Sequence, residues 1–274
     1  MILDGKKVSN EIIDELKEKI NALNKKINFA IIWVGNDASS NIYVKNKIKK
    51  CESVGINAIL YHLDENTSEK NLIGLIDELN NNNDICGILL QSPVPSQINI
   101  NNCFNKILPQ KDIDGFSNQS IGNLVLNKSG FVSCTPLGII KLLEYYNIDV
   151  SGKHVVIINR SNIVGKPLFH LLVNKDATVT MCHSKTNDLY KHTKDADILI
   201  TAVGKPNFIT QDMIKEGAVV IDVGICRINN KVCGDVNFDM VAPKASYITP
   251  VPGGVGPMTI AMVINNIYES VRDK

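Results

Sequence analysis

The chain carries almost no excess charge of either sign: Lys plus Arg number 29 and Asp plus Glu 28 in 274 residues. A nucleic-acid partner or an anionic membrane surface would call for a basic excess, so neither is expected. Long hydrophobic runs are missing as well. No stretch approaches the ~20 apolar residues of a membrane span. The start, "MILDGKKVSNEIIDEL", turns helical without the apolar segment of a secretory signal. A cytoplasmic location is the expectation. Close cysteine pairs are absent too. Cys51, Cys86, Cys103, Cys134, Cys182, Cys226 and Cys233 are scattered, several of them in apolar runs. That usage fits reduced, buried thiols better than metal ligands. His62, His154, His170 and His192 have no partner pattern, and no metal site is expected.

What is present is an α/β alternation. Helical spacing covers 9–24, with Ser9 or Asn10 as cap, then 39–55, stopped by Gly55, and 68–80. Between them run "INFAIIWVG" (27–35), "NAILYHL" (57–63) and "ICGILLQSP" (85–93). These strands are apolar rather than alternating, which argues for a mostly parallel sheet covered on both faces. The stretch 109–134 has no strong period and reads as loops with a small hairpin. A helix with Pro136 in its first turn covers 135–148. Strands are expected again at 154–158, 178–182, 197–201 and 218–223, and a long helix at 257–274. The expected architecture is two α/β domains flanking a cleft, the second a Rossmann-like nucleotide-binding domain. Residues 1–138 form the first domain, with about 262–274 packing back on it, and residues 139–261 the second.

The turn after the strand at 154–158 reads "NRSNIVGKP". A standard dinucleotide fingerprint would place glycines where Asn159, Ser161 and Val164 stand. The segment still joins an apolar strand to an apolar helix whose first N–H groups can receive an anion. Gly165 permits close helix–sheet approach. Asparagine tolerates left-handed backbone, so Asn159 is expected in a glycine-like conformation. About 20 residues on, where an acid would hold an NAD ribose, the chain reads Cys182, His183, Ser184 and Lys185. Arg160 with these groups suits a 2′-phosphate, and hence NADP.

In the first domain Tyr43 and Lys47 lie four apart on one helix and share a face. Gln91 ends an apolar strand, and Asp114 sits in the loop "KDIDGF". Together these groups can bind and activate a polar heterocycle.

At this point a resemblance becomes specific. The blocks "YVKNK" (43–47), "GILLQSPVP" (87–95), "KDIDGF" (111–116), "CTPLG" (134–138), "RSNIVGKP" (160–167), "TAVGKP" (201–206) and "PGGVGPMT" (252–259) stand in order along the chain. The sequence resembles the bifunctional methylenetetrahydrofolate dehydrogenase/methenyltetrahydrofolate cyclohydrolase family over essentially its whole length. The resemblance implies oxidation of 5,10-methylenetetrahydrofolate with NADP⁺ and hydrolysis of the product to 10-formyltetrahydrofolate. It implies that Tyr43 and Lys47 lie beside the reacting carbons, that Gln91 positions Lys47, and that Asp114 holds the pterin. Pro252, Gly253 and Gly254 belong to a loop flanking folate and nicotinamide. Cofactor contacts are implied at Asn159, Arg160, Ser161, Ile163, Gly165, His183, Ser184, Ala202, Gly204 and Ile225, and a homodimer is implied through the nucleotide domain. Two positions depart from the family pattern. Asn159 stands where glycine is usual, and Ser92 where leucine is usual. Other readings compatible with the residues are a dehydrogenase with little cyclohydrolase activity, an oxidoreductase for another small substrate, and a non-catalytic folate- or nucleotide-binding protein.

Overall fold

Apolar strands and amphipathic helices alternate through the computed structural model, which describes residues 1–228 and 231–272, the side chains of 38 and 39 excepted. In chain order the elements are α1 (Gly5–Ala22), β1 (Ile27–Val34), α2 (Ala38–Ser53), β2 (Ile56–Leu63), α3 (Glu69–Asn81), β3 (Ile85–Leu90), α4 (Ile100–Phe104), α5 (Asn118–Val125) and α6 (Cys134–Tyr145). There follow β4 (His154–Ile158), α7 (Gly165–Val173), β5 (Thr178–Cys182), α8 (Leu189–Thr193), β6 (Ile198–Thr201), β7 (Val219–Asp222), β8 (Cys226–Ile228), β9 (Lys231–Cys233), α9 (Phe238–Val241), β10 (Tyr247–Ile248) and α10 (Val255–Glu269). The chain forms two α/β units. One comprises Glu11–Ser133 and the chain from Ile260 on, the other Met1–Asn10 and Cys134–Thr259.

The first unit has a parallel sheet in the order β2-β1-β3. Its central strand, β1, is buried along nearly its whole length, which is why its sequence is a continuous apolar run. α3 buries Leu72, Ile76 and Leu79, spaced as one helix face, against Ile32, Val34, Ile88 and Leu90. Ser68 caps α3 by accepting from the Asn71 N–H at 3.2 Å.

The second unit has five parallel strands in the order β10-β7-β6-β4-β5. From β4 the chain moves to β5 at one side and then to β6 at the other. This is Rossmann-like topology, with its switch point between β4 and β6. Val156, Ile158, Leu199 and Val220 form the centre of the core on the sheet.

Several local expectations need correction. Residues 1–10, expected with the first domain, group with the second unit. The Leu3 N–H donates to the Ile248 carbonyl at 2.8 Å, and the Lys6 N–H to the Gly253 carbonyl at 2.8 Å. α1 starts at Gly5 rather than after Ser9. Asp4 accepts from the Lys7 N–H at 2.9 Å, while Ser9 is buried and donates back to the Lys6 carbonyl at 3.0 Å. The hairpin expected within 109–134 is instead a 3₁₀ turn, Pro109–Lys111, and α5. Ser117 caps α5, its hydroxyl accepting from the Ser120 N–H at 3.2 Å. The antiparallel pair β8–β9 has no forerunner in the sequence reading.

No helix of the described residues is long and apolar enough to cross a membrane. Six of the seven cysteines are buried thiols, Cys233 being half-buried.

Candidate active site

In the first unit, α2 is started by Asp37, whose carboxylate accepts from the Ser40 N–H at 2.7 Å. That start sets the helix phase and puts Tyr43 and Lys47 one turn apart on one face. Gln91 directly follows β3, and its backbone N–H donates to the Ile32 carbonyl at 2.8 Å. The Lys47 Nζ donates to Gln91 Oε1 at 3.1 Å. Gln91 Nε2 in turn donates to the Ser92 carbonyl at 2.7 Å, which fixes the amide orientation and aims its oxygen at Lys47. This use of Ser92 is a backbone one, so the departure from leucine leaves the Lys47–Gln91 contact in place. Asp114 is buried, and burial pushes its carboxyl up to about 6; the Lys47 charge pulls it back and Asp112 adds to the rise. Lys47, Gln91 and Asp114 are thus brought together, and Tyr43 stands exposed one turn before Lys47. Cys51, one turn beyond Lys47, is no competing nucleophile, because burial pushes its thiol up to about 12.

Asp114 sits on a braced loop whose supports the sequence reading passed over. Lys111 is buried and its ammonium donates to the carbonyls of Leu79, Asn80 and Asn82 at 2.9, 2.8 and 2.8 Å. The first two are carbonyls of the last turn of α3 and the third belongs to its C-cap, Asn82, so a cation closes the helix C-terminus. Asp112 accepts from the N–H groups of Phe116 and Ser117 at 3.2 and 2.9 Å and from the Ser120 hydroxyl at 2.7 Å. Asn266 Nδ2 donates to the carbonyls of Ile113 and Val132 at 2.9 and 3.0 Å. Gly115 takes φ +66°, and a Cβ there would fall 2.8 Å from the Phe131 carbonyl oxygen. The available signal was a lysine and an aspartate inside a short loop between apolar segments.

In the second unit the expected cofactor residues follow the carboxyl ends of four parallel strands. Residues 159–165 follow β4, His183 and Ser184 follow β5, Ala202 and Gly204 follow β6, and Ile225 follows β7. The expectation for Asn159 is overturned, since it is not among the positive-φ residues. Its side chain, rather than its backbone freedom, shapes the turn. Asn159 Oδ1 accepts from the N–H groups of Ser161 and Gly165 at 2.8 and 3.0 Å and from the Ser161 hydroxyl at 2.7 Å. Asn159 Nδ2 donates to the Ala202 carbonyl at 2.5 Å and ties the turn after β4 to the loop after β6. Glycine is required instead at Gly165, where a Cβ would collide with the Asn159 backbone. Arg160, Ser161, Ile163 and Ser184 are exposed at this edge and His183 is half-buried, its Nδ1 accepting from the Lys185 N–H at 3.1 Å. Gly204 has φ +72° with open space where a Cβ would stand.

Pro252, Gly253 and Gly254 also belong to the second unit. Gly253 has φ +108°, and a Cβ on Gly254 would lie 2.5 Å from the Pro250 carbonyl oxygen. A Cβ on Gly5 would strike the Gly254 carbonyl, so α1 begins against the backbone of this segment. No group of three or more His, Cys, Asp or Glu among the described residues is arranged to hold a metal ion.

Residues 3–114 match the family "Tetrahydrofolate dehydrogenase/cyclohydrolase, catalytic domain", and residues 133–274 match "Tetrahydrofolate dehydrogenase/cyclohydrolase, NAD(P)-binding domain". The Bifunctional protein FolD of Agathobacter rectalis is 54% identical over 275 residues, 99% of each chain. The crystal structure of the bifunctional FolD methylenetetrahydrofolate dehydrogenase/cyclohydrolase from Campylobacter jejuni superposes with a TM-score of 0.98 at 47% identity, covering 100% of this chain and 99% of that one. The Trypanosoma brucei N5,N10-methylenetetrahydrofolate dehydrogenase-cyclohydrolase, solved with NADP cofactor and an inhibitor, gives 0.95 at 32% identity, covering 100% and 97%. The chain belongs to the tetrahydrofolate dehydrogenase/cyclohydrolase family.

Proposed function

We propose that Lys47, Tyr43, Gln91 and Asp114 carry the folate chemistry and that the carboxyl edge of the second unit's sheet holds NADP(H). The chain is a bifunctional, NADP-dependent methylenetetrahydrofolate dehydrogenase and methenyltetrahydrofolate cyclohydrolase of one-carbon metabolism. The observation that carries the site assignment is the Lys47–Gln91 hydrogen bond of 3.1 Å beside the buried Asp114.

The residues at the sheet edge fit a dinucleotide. Ligands of such folds bind outside the strand carboxyl ends at the switch point, and here Asn159 and Ala202 join the two loops that flank that point. α7 begins there, with Gly165 packed against the turn, so its N-terminal N–H groups favour an anion. Ser161, Ile163, Ala202, Gly204 and Ile225 line the dinucleotide, and Asn159 and Gly165 shape the turn beneath it. Arg160 and Ser184, with His183 beside them, take the 2′-phosphate. When bound, NADP⁺ accepts the hydride of the methylene carbon. The protein's task in that step is orientation, because the folate nitrogens stabilise the resulting cation. Asp114 anchors the pterin for that purpose, and Pro252, Gly253 and Gly254 flank the folate.

In the second step water adds to the methenyl carbon and the bond from that carbon to N5 breaks, leaving the formyl group on N10. The water oxygen must lose its protons and N5 must gain one, with one proton released overall. Lys47 relays protons between these atoms. Gln91 holds the Lys47 head group in place, and Tyr43 orients it from the preceding helical turn. One assay tests the whole reading: purified protein, methylenetetrahydrofolate and NADP⁺, with NADPH formation and methenyl-folate decay followed together. Binding of both ligands without either absorbance change would overturn it. A homodimer and a cytoplasmic location complete the reading, checked by sedimentation and by cell fractionation.

A further inference from the structure

We propose that Asp235 is a positioning residue for the nucleotide-binding loops, acting through the backbone of residues 201–205. Asp235 has no exposed surface, and its carboxylate is spent entirely on the end of β6 and the start of β8. Its Oδ2 accepts from the Thr201 hydroxyl at 2.9 Å and from the Val203 N–H at 2.7 Å. Its Oδ1 accepts from the Lys205 N–H at 2.8 Å and faces the Cys226 thiol at 3.9 Å. Beyond Thr201 the chain leaves the sheet, and the N–H groups of 203 and 205 have no strand to pair with. One buried carboxylate collects both, which bows the loop at alternate residues. The residues that alternate with the anchored ones are Ala202 and Gly204.

Asp235 is itself held in place. Asp222, at the end of β7, accepts the Asp235 and Val236 N–H groups at 3.0 and 2.8 Å and the Gly224 N–H at 2.9 Å. The two carboxylates occupy the space that side chains would need at Gly224 and Gly234, since a Cβ on Gly224 would strike the Asp235 carboxylate and one on Gly234 the Asp222 carboxylate. Hydrogen bonds therefore run from Asp222 through Asp235 to the 201–205 loop, and from Ala202 to Asn159 and the turn before α7. The chemistry of the two aspartates is to fix where backbone groups around the nucleotide lie. This rests on the assignment of Ala202, Gly204 and Ile225 to the nucleotide site.

The bifunctional enzyme supplies an internal control, because methenyltetrahydrofolate hydrolysis uses no nucleotide. Asp235→Asn puts an NH₂ where an oxygen accepted N–H groups, so the amide cannot hold both sides of the loop. NADP⁺ affinity by isothermal titration should fall about ten-fold, the loss of one such hydrogen bond. KM for NADP⁺ should rise with a much smaller change in kcat, while cyclohydrolase turnover and its pH profile stay within about two-fold. Thr201→Val, which removes a single donor and keeps the side-chain shape, should show a weaker form of the same split. It serves as the deciding variant if Asp235→Asn does not fold. Unchanged NADP⁺ affinity in folded Asp235→Asn, or in Thr201→Val where that serves, would overturn the inference. So would a loss of cyclohydrolase turnover equal to the loss of nucleotide binding. Ala202→Asp separates the two readings. If it weakens NADP⁺ binding while Asp235→Asn does not, only the positioning role fails. If it too leaves binding unchanged, the loop is not part of the nucleotide site.

Discussion

Replacing Asp114 by asparagine keeps the side chain's shape and removes its charge. Asp114 is 9% exposed, and burial raises its carboxyl from 3.8 to about 6. The folded state therefore holds this proton more tightly than the unfolded chain does. Below 3.8 both states are protonated and the group contributes nothing to the pH dependence. As pH rises through the interval from 3.8 to about 6, the unfolded chain ionises first, and stability is lost. The interval, 6 − 3.8 = 2.2 units, corresponds at 1.36 kcal/mol per unit to about 3 kcal/mol at pH 7.5. The same linkage gives about half that at pH 5 and less than ~1 kcal/mol at pH 4. Asp114→Asn escapes this cost, so it should be more stable than the parent by up to about 3 kcal/mol at pH 7.5, with the gain fading toward pH 4. Urea unfolding followed by tryptophan emission measures it directly. Trp33 is the chain's single tryptophan, and it lies in β1 of the same unit, stacked on His62 with ring centroids 4.0 Å apart. The price of the gain is function: KM for the folate should rise in both reactions. A variant no more stable than the parent at pH 7.5, or one whose gain is equal at pH 4 and 7.5, would refute the reasoning.

Other perturbations follow from the same contacts. Lys47→Met should lower cyclohydrolase turnover by about 100-fold or more in a protein that still folds, though it is less stable at pH 7.5 because Asp114 loses the cation beside it; retained turnover would remove Lys47 from the mechanism. Arg160→Ala should raise KM for NADP⁺ and leave KM for NAD⁺ nearly unchanged, so the ratio of the two kcat/KM values is the quantity to measure. Asn159→Ala removes the acceptor of three donors and the tie to Ala202. It should destabilise the second unit by about 1–3 kcal/mol and weaken NADP⁺ binding, whereas equal behaviour of Asn159→Ala and the parent would show the turn to be self-supporting. Lys111→Met strips a cation from three carbonyls at the C-terminal end of α3 and should cost about 3 kcal/mol in unfolding, read by Trp33 emission.

The α/β alternation was legible because burial on both faces makes parallel strands continuous apolar runs, and β1 and β4 are such runs. Helix extent was legible where periodicity and a stop signal agree, as at Gly55, which follows α2 with φ +87°. It failed at the start of α1, where Ser9 looks like a cap but is buried one turn inside the helix. It failed again at 109–134, because α5 is a short helix capped by Ser117 and held by Asp112, neither of which leaves a period to count.

The sequence by itself determined the family, the α/β class, the chemistry of the candidate groups and the four-residue spacing of Tyr43 and Lys47. These depend on residue type and on distances along the chain, which local periodicity records. Tertiary structure alone decided which groups meet. Gln91 reaches Lys47 across 44 residues, Lys111 closes a helix 29 to 32 residues away, and Asp235 gathers a loop 30 to 34 residues before it. It also decided that Asn159 replaces glycine by hydrogen bonding rather than by backbone freedom. Each of these contacts satisfies a polar group that packing had taken out of water. The need for a partner arises only when the elements are assembled, so no local pattern announces it.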